Sequence, residues 1–242
     1  MGKGWVEMAT RSTASLRIGG TSVVALPDAA LRLRSRPTYA ACKRAVDVVG
    51  AFALLLFLVP VLLVVAIAIV IDTGWPVFYT GERVGRAARM FHVFKFRSMR
   101  ADADASVHRD YLFDLLSGRA APANGLYKVP KDPRITRIGA FLRKTSLDEL
   151  PQLVNVLRGE MSLVGPRPEV PYALDQYEPW MYRRFEVAPG MTGLWQVSGR
   201  GRIGVRDMWR LDVEYADRCD LGLDIGILVR TIPAVLRGTG AG

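Results

Sequence analysis

The feature that most constrains this chain of 242 residues is an apolar stretch, Val48 to Ile71, which carries no charged side chain over 24 positions. About 20 apolar residues cross the ~30 Å hydrocarbon core of a bilayer, so length and composition predict a membrane segment. A cleaved signal peptide fits poorly, because the stretch begins late in the chain and exceeds the ~7–15 apolar residues of such peptides. The segment is therefore expected to stay in the protein, and a soluble cytosolic protein is excluded as the default.

Pro60 lies at the centre of this stretch. A proline inside a helix removes one backbone hydrogen bond and clashes with the preceding turn, which predicts a kink or a break. Two arrangements follow: a kinked helix that spans the bilayer, or a re-entrant helix-break-helix that enters and leaves by the same face. Basic residues precede the stretch (Lys43, Arg44) and follow it (Arg83, Arg86). Cytoplasmic flanks are enriched in such residues, so the symmetry favours the re-entrant arrangement.

Asp47 stands one turn inside the predicted membrane element. A carboxylate in this setting needs a partner, which Lys43 or Arg44 could supply at helical spacing. The alternative is an interfacial carboxylate exposed to lipid headgroups.

The net charge of +10 is concentrated around the membrane segment, since residues 1–44 and 83–100 each carry +6. Basic groups in these places suit an anionic leaflet, and no nucleic-acid partner is needed to explain them. Cys42 and Cys219 show no paired spacing, which agrees with a reducing, cytoplasmic location for the folded part.

Three parts are predicted: a basic N-terminal tail (1–40), a re-entrant membrane anchor (41–74) and a cytoplasmic domain (75–242). The fold class is a helix-rich α+β domain with a small β-hairpin, which the alternating pattern around a glycine turn predicts within 77–100.

Further elements follow from periodicity. A helix is predicted over 101–118 and a loop from Ser117 to Asp132. Helical periodicity from Ile138 to Glu160 is interrupted at Pro151, and two more helices are predicted between Asp207 and Leu236.

Ser146-Leu147-Asp148-Glu149 is open to two interpretations. It matches a capping box, in which the serine caps a first helical turn and the glutamate reaches back. Pro151 argues against that, because a proline so soon after the box is awkward in a continuing helix. The alternative places Asp148 and Glu149 at a helix break.

These adjacent carboxylates lie in a segment rich in basic residues, with Arg143 and Arg167 nearby and Arg200 further along. One carboxylate can attack phosphorus while the other binds a divalent cation, and arginines can hold phosphate oxygens through bidentate contacts. Asp102-Ala103-Asp104 resembles a metal-binding DxD, but a solvated face explains it more simply. A membrane-tethered adaptor without enzymatic activity is the alternative function.

Four motifs in consistent order then carry a family resemblance. They are KFRSMR (Lys95 to Arg100), the run from Asp132 to Glu169, PGMTGLWQVSGR (Pro189 to Arg200) and LDIGIL (Leu223 to Leu228). Together they closely resemble the bacterial sugar transferases, the monotopic polyprenyl-phosphate phosphoglycosyl transferases, in their short form.

The resemblance implies a two-step transfer of a phosphosugar from a UDP-sugar to polyprenyl phosphate, with release of UMP and a covalent aspartyl intermediate. By motif position Asp148 would be the nucleophile and Glu149 the Mg²⁺ ligand. The residues implied near the phosphate site are Lys95, Arg143, Arg167, Arg200 and Asp224.

It also implies an anchor made of Lys43, Arg44, Asp47 and a re-entrant helix broken at Pro60. The expected location is the bacterial inner membrane with the catalytic domain on the cytoplasmic face, where the enzyme would initiate exopolysaccharide, capsule or O-antigen synthesis. Membrane lipid is an expected partner, and a homodimer is one option.

Overall fold

The structure is a computed structural model that describes residues 16–18, 21–23, 36–100, 102–104, 106–117, 119, 129, 132–199 and 203–236. Its strands are β1 (Leu16–Ile18), β2 (Thr21–Val23), β3 (Phe78–Val84), β4 (Met90–Phe96), β5 (Ser162–Val164) and β6 (Gly190–Thr192). Its α-helices are α1 (Pro37–Thr73), α2 (Ser106–Leu116), α3 (Arg137–Thr145), α4 (Gln152–Arg158), α5 (Leu194–Gly199), α6 (Val205–Arg218) and α7 (Leu221–Leu236). Short 3₁₀ segments lie at Arg86–Ala88, Leu147–Glu149, Pro171–Gln176 and Pro179–Glu186.

The long helix α1 contains the whole apolar stretch. It begins at Pro37, where a missing N–H costs nothing, and ends before Gly74, which adopts φ 71° and donates its N–H to Val70. Pro60 lies inside this one helix of 37 residues, so the predicted break does not divide it into two separate helices. Within the described residues, α1 is the one helix long and apolar enough to cross a membrane.

One face of α1 packs on the rest of the protein along nearly its whole length. Ala51 belongs to the main core with Phe91 and Val93 of β4, whereas Val65 and Ile69 belong to a second core with Phe96 and Leu142. The opposite face is exposed and apolar. Strand β4 contributes to both cores, so the two ends of α1 contact a single folded unit.

The predicted β-hairpin is confirmed. Strands β3 and β4 are antiparallel, with Phe78 opposite Phe96 and Val84 opposite Met90. Helix α4 is fixed on this hairpin by Asn155, whose side chain is fully buried. Its amide accepts a hydrogen bond from the Phe94 N–H at 3.0 Å and donates one to the His92 carbonyl at 2.8 Å.

A short parallel pair, β5 and β6, positions the loop that follows β5. The Gly190 N–H donates to the carbonyl of Pro166 at 2.7 Å, and a Cβ on Gly165 would lie only 2.4 Å from the Ala188 carbonyl oxygen. Glycine is therefore required at 165, because the chain passes too close for any side chain.

Most predicted helices are confirmed, including α2, α6 and α7. In the predicted N-terminal tail, β1 and β2 form a short antiparallel hairpin and α1 begins at Pro37. The predicted loop 117–132 lies largely outside the described residues. Trp195 and Trp209 are core residues, whereas Trp75 is 77% exposed.

Candidate active site

Asp148 and Glu149 lie in a sharp break between two helices. Helix α3 ends at Thr145, Ser146 takes a left-handed conformation (φ 59°), and Leu147–Glu149 form a single 3₁₀ turn. Pro151 then starts α4, where its fixed φ suits a first turn. The helix-break interpretation is thus confirmed. The capping-box interpretation is wrong, since the Ser146 side chain forms no capping hydrogen bond within the described residues.

The Glu149 side chain points towards two cations instead of back along the helix. Its Oε1 accepts from Lys95 Nζ at 2.9 Å and from Arg167 at 3.0 Å. Burial alone would raise the pKa of Glu149, but Arg167 and Lys95 outweigh it and hold that pKa well below its ordinary value. Glu149 is therefore ionised at neutral pH.

The same pair of residues shapes the environment of Lys95. Burial lowers the pKa of the Lys95 ammonium, and the charge of Glu149 opposes that shift. The side chain of Lys95 is 17% exposed, as is that of Glu149. The ion pair is therefore partly accessible and can rearrange around an incoming anion.

Asp148 is 8% exposed and lies close to Arg143. Burial lowers the pKa of the Arg143 guanidinium, while Asp148 is the largest influence in the opposite direction. We call the five residues that meet here the phosphate cluster: Lys95, Arg143, Asp148, Glu149 and Arg167. Sequence reasoning assigned all five to one site, and the structure brings them together on one cavity.

Arg167 is held in place by buried residues that sequence reasoning missed. Arg184 is 2% exposed and donates a hydrogen bond of 2.7 Å to the Arg167 carbonyl. It also donates hydrogen bonds to the carboxylates of Glu169 and Asp212. We call Glu169, Arg184 and Asp212 the scaffold cluster. The sequence offered little signal, because Arg184 lies beside Arg183 and Glu186 in a mixed aromatic and charged segment.

The predicted anchor residues have partners other than the expected ones. Asp47 is buried and accepts from the Ser162 hydroxyl and the Leu163 N–H, both at 2.9 Å. The prediction that Asp47 forms an ion pair with Lys43 or Arg44 is wrong, because these three residues have other partners. The alternative prediction, that Asp47 is exposed to lipid headgroups, is also wrong, because Asp47 is buried. Arg44 instead donates to two carbonyls near the C-terminal end of α4, at 2.6 and 2.8 Å.

Lys43 is bonded to Asp224 at 2.8 Å. The Asp224 carboxylate also accepts from Tyr39 at 3.1 Å and from Tyr215 at 2.6 Å. Asp224 is absent from the described lining of the cavity that holds Asp148. Asp224 thus lies on α7 and contacts α1 and α6, so that it joins the anchor helix to the domain. Arg200, which was also predicted near the phosphate site, lies outside the described residues.

The cavity in front of Asp148 has a volume of about 430 Å³. Pro76, Phe78, Tyr79 and Phe96 form an apolar part of its wall, and Asp104, His108, Arg134 and Tyr172 form a polar part. Seven lysine and arginine side chains line it, compared with four carboxylates. Some of these side chains already have protein partners, since Arg97 donates to the Thr73 carbonyl and Arg134 pairs with Asp132. The excess of positive over negative side chains in the lining still favours an anionic ligand.

The carboxylates of this cavity can accommodate Mg²⁺. No group of three or more potential ligand side chains is found among the described residues. Mg²⁺ needs fewer, because it is commonly held by one or two carboxylates together with substrate phosphate oxygens and water. Asp148 and Glu149, beside cations that can hold a diphosphate, form a donor set of that kind.

Asp102 and Asp104 each have partners close to them in the sequence. Asp102 pairs with Arg100, and Asp104 accepts from the backbone N–H of Ser106 at 2.8 Å just before α2. Asp104 also belongs to the polar part of the cavity lining.

The family model of bacterial sugar transferases matches residues 38–238. The chain is 45% identical over 199 residues to the UDP-galactose-lipid carrier transferase of Erwinia amylovora, covering 82% of this chain and 41% of that protein. It is 37% identical over 206 residues to the exopolysaccharide production protein ExoY of Rhizobium meliloti, covering 85% of this chain and 90% of that protein.

A third relative is the UDP-glucose:undecaprenyl-phosphate glucose-1-phosphate transferase of Caulobacter vibrioides, 36% identical over 230 residues, with 92% of this chain and 75% of that protein covered. The protein belongs to the bacterial sugar transferase family. The chain spans about two fifths of the length of some of its relatives, such as the Erwinia protein, and nearly the whole of others.

Proposed function

We propose that this protein transfers a phosphosugar from a UDP-sugar to undecaprenyl or a similar polyprenyl phosphate, releasing UMP. The observation that carries the proposal is the position of Asp148 and Glu149, which a helix break places in the lining of a cation-rich cavity. Relatives named as sugar-phosphate transferases of undecaprenyl phosphate support it. The reaction would begin exopolysaccharide or a related glycan, as the name of the Rhizobium relative suggests.

In the first step a carboxylate oxygen of Asp148 attacks the phosphorus that carries the sugar. A bond forms between that oxygen and phosphorus, and the phosphorus bond to the oxygen bridging the two phosphates breaks. UMP leaves with the bridging oxygen, and an aspartyl phosphosugar remains on the enzyme. No proton has to be transferred, because the carboxylate attacks in its ionised form.

In the second step a phosphate oxygen of the polyprenyl phosphate attacks the same phosphorus. Asp148 leaves as a carboxylate, and a polyprenyl-diphosphate sugar is formed. Both substrates therefore place a phosphate at one position, between Lys95, Arg143 and Arg167. These cations reduce the repulsion between an anionic nucleophile and an anionic phosphate, and stabilise charge as it develops.

Mg²⁺ would be held by Glu149, with Asp148 nearby, and it would supply charge neutralisation on the diphosphate oxygens. Lys95 and Arg167 hold the Glu149 carboxylate in its ionised form, which is the form that binds a hard cation. The contribution of the protein is thus a fixed carboxylate beside fixed cations.

The contacts of α1 support a proposal for its placement in the membrane. Its N-terminal half forms hydrogen bonds with α4, β5 and α7. Its C-terminal end is held by Arg97, which directly follows β4, and by the N–H of Ile138, which donates to Asp72. A helix that crossed the bilayer would need this one domain on both sides. We propose a re-entrant or interfacial anchor, with the domain on the cytoplasmic face of the inner membrane.

Labelling of single cysteines tests this topology. In a Cys219→Ser background, the exposed native Cys42 reports on the N-terminal end of α1. A cysteine placed at the exposed position Glu82, with Cys42 also replaced by serine, reports on the chain that follows the C-terminal end of α1. A membrane-impermeant maleimide should label both positions in inside-out vesicles and neither in right-side-out vesicles. Labelling from opposite sides would show a spanning helix.

The activity is tested by replacing the nucleophile. Asp148→Asn should abolish both UMP release from a UDP-sugar and formation of the lipid-linked product, in the presence of Mg²⁺ and polyprenyl phosphate. Asp110→Asn, on the exposed face of α2, is the matched control and should retain full activity. UMP release by the Asp148→Asn variant would defeat the assignment. No turnover by the unaltered protein with any UDP-hexose or UDP-amino sugar would favour the adaptor.

A further inference from the structure

An exposed group of aromatic residues lies where the anchor helix meets the cavity. Phe78 and Tyr79 are 54% and 48% exposed and line the cavity with Pro76, and Trp75 beside them is 77% exposed. We call Trp75, Pro76, Phe78 and Tyr79 the aromatic rim. Large aromatic side chains exposed together and continuous with a cavity indicate a binding surface more than scattered surface residues do.

The rim is held rigidly despite its exposure. The ring of Phe78 stacks on buried Phe96, with centroids 5.3 Å apart and planes 18° apart. The guanidinium of Arg97, 7% exposed, donates to the carbonyls of Thr73, Gly74 and Trp75 at 2.6–3.0 Å. The C-terminal end of α1 is thereby fixed to strand β4, and the rim loses little entropy when it binds a ligand.

The rim is directly beside the phosphate cluster. In the antiparallel pairing Tyr79 lies opposite Lys95, and Phe78 lies opposite Phe96. Lys95 is bonded to Glu149. A phosphate held at Lys95 therefore has Tyr79 beside it on the same face of the hairpin, while Phe78 and Phe96, which belong to the other face, line the same cavity.

The rim is also continuous with the lipid-facing side of α1. Ile67 and Ile71, in the last turns before the rim, are 59% and 80% exposed. The polar wall with Asp104, His108 and Arg134 lies elsewhere on the cavity lining. The lining of one cavity thus combines residues of the aromatic rim, which follows α1 in the chain, with the phosphate cluster and with other polar residues.

We propose that the aromatic rim binds the first isoprene units of the lipid acceptor while the phosphate cluster binds its phosphate. This inference rests on the proposed function and adds the acceptor subsite to it. An isoprenoid phosphate matches the surface because one end is an anion and the adjoining chain is branched hydrocarbon, with no polar groups to satisfy. The tail could then enter from the bilayer along α1 without crossing water.

The test separates the two half-reactions. Exchange of labelled UMP into UDP-sugar reports the first step and needs no acceptor, whereas transfer to a ten-carbon isoprenyl phosphate and to undecaprenyl phosphate reports the second. For Phe78→Ala we expect KM to rise about tenfold for both acceptors. We expect exchange to change less than twofold. Phe78→Leu, which keeps an apolar surface, should recover most of the affinity.

Phe57→Ala is the matched control, since Phe57 is 80% exposed on α1 and lies away from the cavity lining. It should leave KM for the short acceptor unchanged. An unchanged acceptor KM in Phe78→Ala would overturn the rim proposal, as would a rise confined to undecaprenyl phosphate, which would mean general membrane contact. Equal losses in exchange and transfer would also overturn it. Absence of exchange and transfer in the unaltered protein would instead overturn the proposed function.

Discussion

The phosphate cluster and the scaffold cluster are built from the same chemical groups, arginine and carboxylate, yet they differ in exposure. In the scaffold cluster the side chains of Arg184 and Asp212 are 2% and 1% exposed. In the phosphate cluster those of Arg167 and Glu149 are 27% and 17% exposed and face the cavity. The Arg184–Asp212 pair is almost inaccessible, so its carboxylate exchanges for another anion less readily than that of the partly exposed Arg167–Glu149 pair. Burial therefore separates a structural role from a chemical one.

The largest predicted effect is on stability, from Arg184→Met. Removing the arginine leaves the buried Asp212 and the partly buried Glu169 without their counter-charge, which costs about 3–5 kcal/mol of the free energy of unfolding. Urea or thermal unfolding in detergent measures this. Arg183→Met, at the neighbouring and more exposed position, is the control and should cost less than about 1 kcal/mol. Equal stability of the two variants would mean that the scaffold cluster does not support the fold.

The same substitution in the open cluster should give the opposite pattern. Arg167→Met removes a cation from the phosphate site and is expected to lower the rate of UMP release about 100-fold. Because Arg167 is partly exposed, the free energy of unfolding should change by less than about 1 kcal/mol. A loss of stability as large as that of Arg184→Met, without a change in rate per folded molecule, would remove the distinction between the clusters.

His108 lies between the two clusters and lines a cavity with each. Burial, assisted by Arg83, lowers its pKa to about 4 from the ordinary 6.5. Between pH 6.5 and pH 4 the folded protein thus binds fewer protons at His108 than the unfolded chain does. The contribution of neutral His108 to the free energy of unfolding is therefore fully present above pH 6.5 and is lost as the pH falls towards 4. The free energy of unfolding should fall by about 2 kcal/mol between pH 7 and pH 5.

His108→Gln provides the comparison for that pH dependence. It should flatten the part of the stability profile that falls between pH 7 and pH 5, measured by chemical unfolding at each pH. An unchanged profile in the variant would show that other groups are responsible.

The smallest predicted effect concerns Asp224, which the sequence assigned to the phosphate site and the structure places against Lys43, Tyr39 and Tyr215. Asp224→Asn should lower the free energy of unfolding by about 1.5 kcal/mol, since hydrogen bonds to a charged group are weakened. UMP release per folded molecule should stay within twofold. A tenfold loss of rate in a variant of normal stability would restore the role at the phosphate site.

The sequence predicted which residues of the phosphate cluster lie together better than it predicted the contacts of the anchor residues. Asp148, Glu149 and Arg167 fall within one continuous motif, and Pro151 indicated the helix break. The partners of Asp47 lie more than 110 residues away in β5, so local spacing pointed to Lys43 and Arg44 instead. Arg184 carried no motif, because its function depends on groups that meet only in the folded chain.

The sequence by itself determined that a long apolar segment is present, that a hairpin and several helices follow it, and that a proline interrupts the helix at the two carboxylates. These properties depend on the local composition and on the spacing of apolar residues, both of which can be read directly from the sequence. Only the tertiary structure decided which charges are sealed and which are open, that both ends of α1 contact one domain, and that aromatic residues border the cavity. Burial and long-range pairing are properties of the packed chain, so residues with the same side chain acquired different roles.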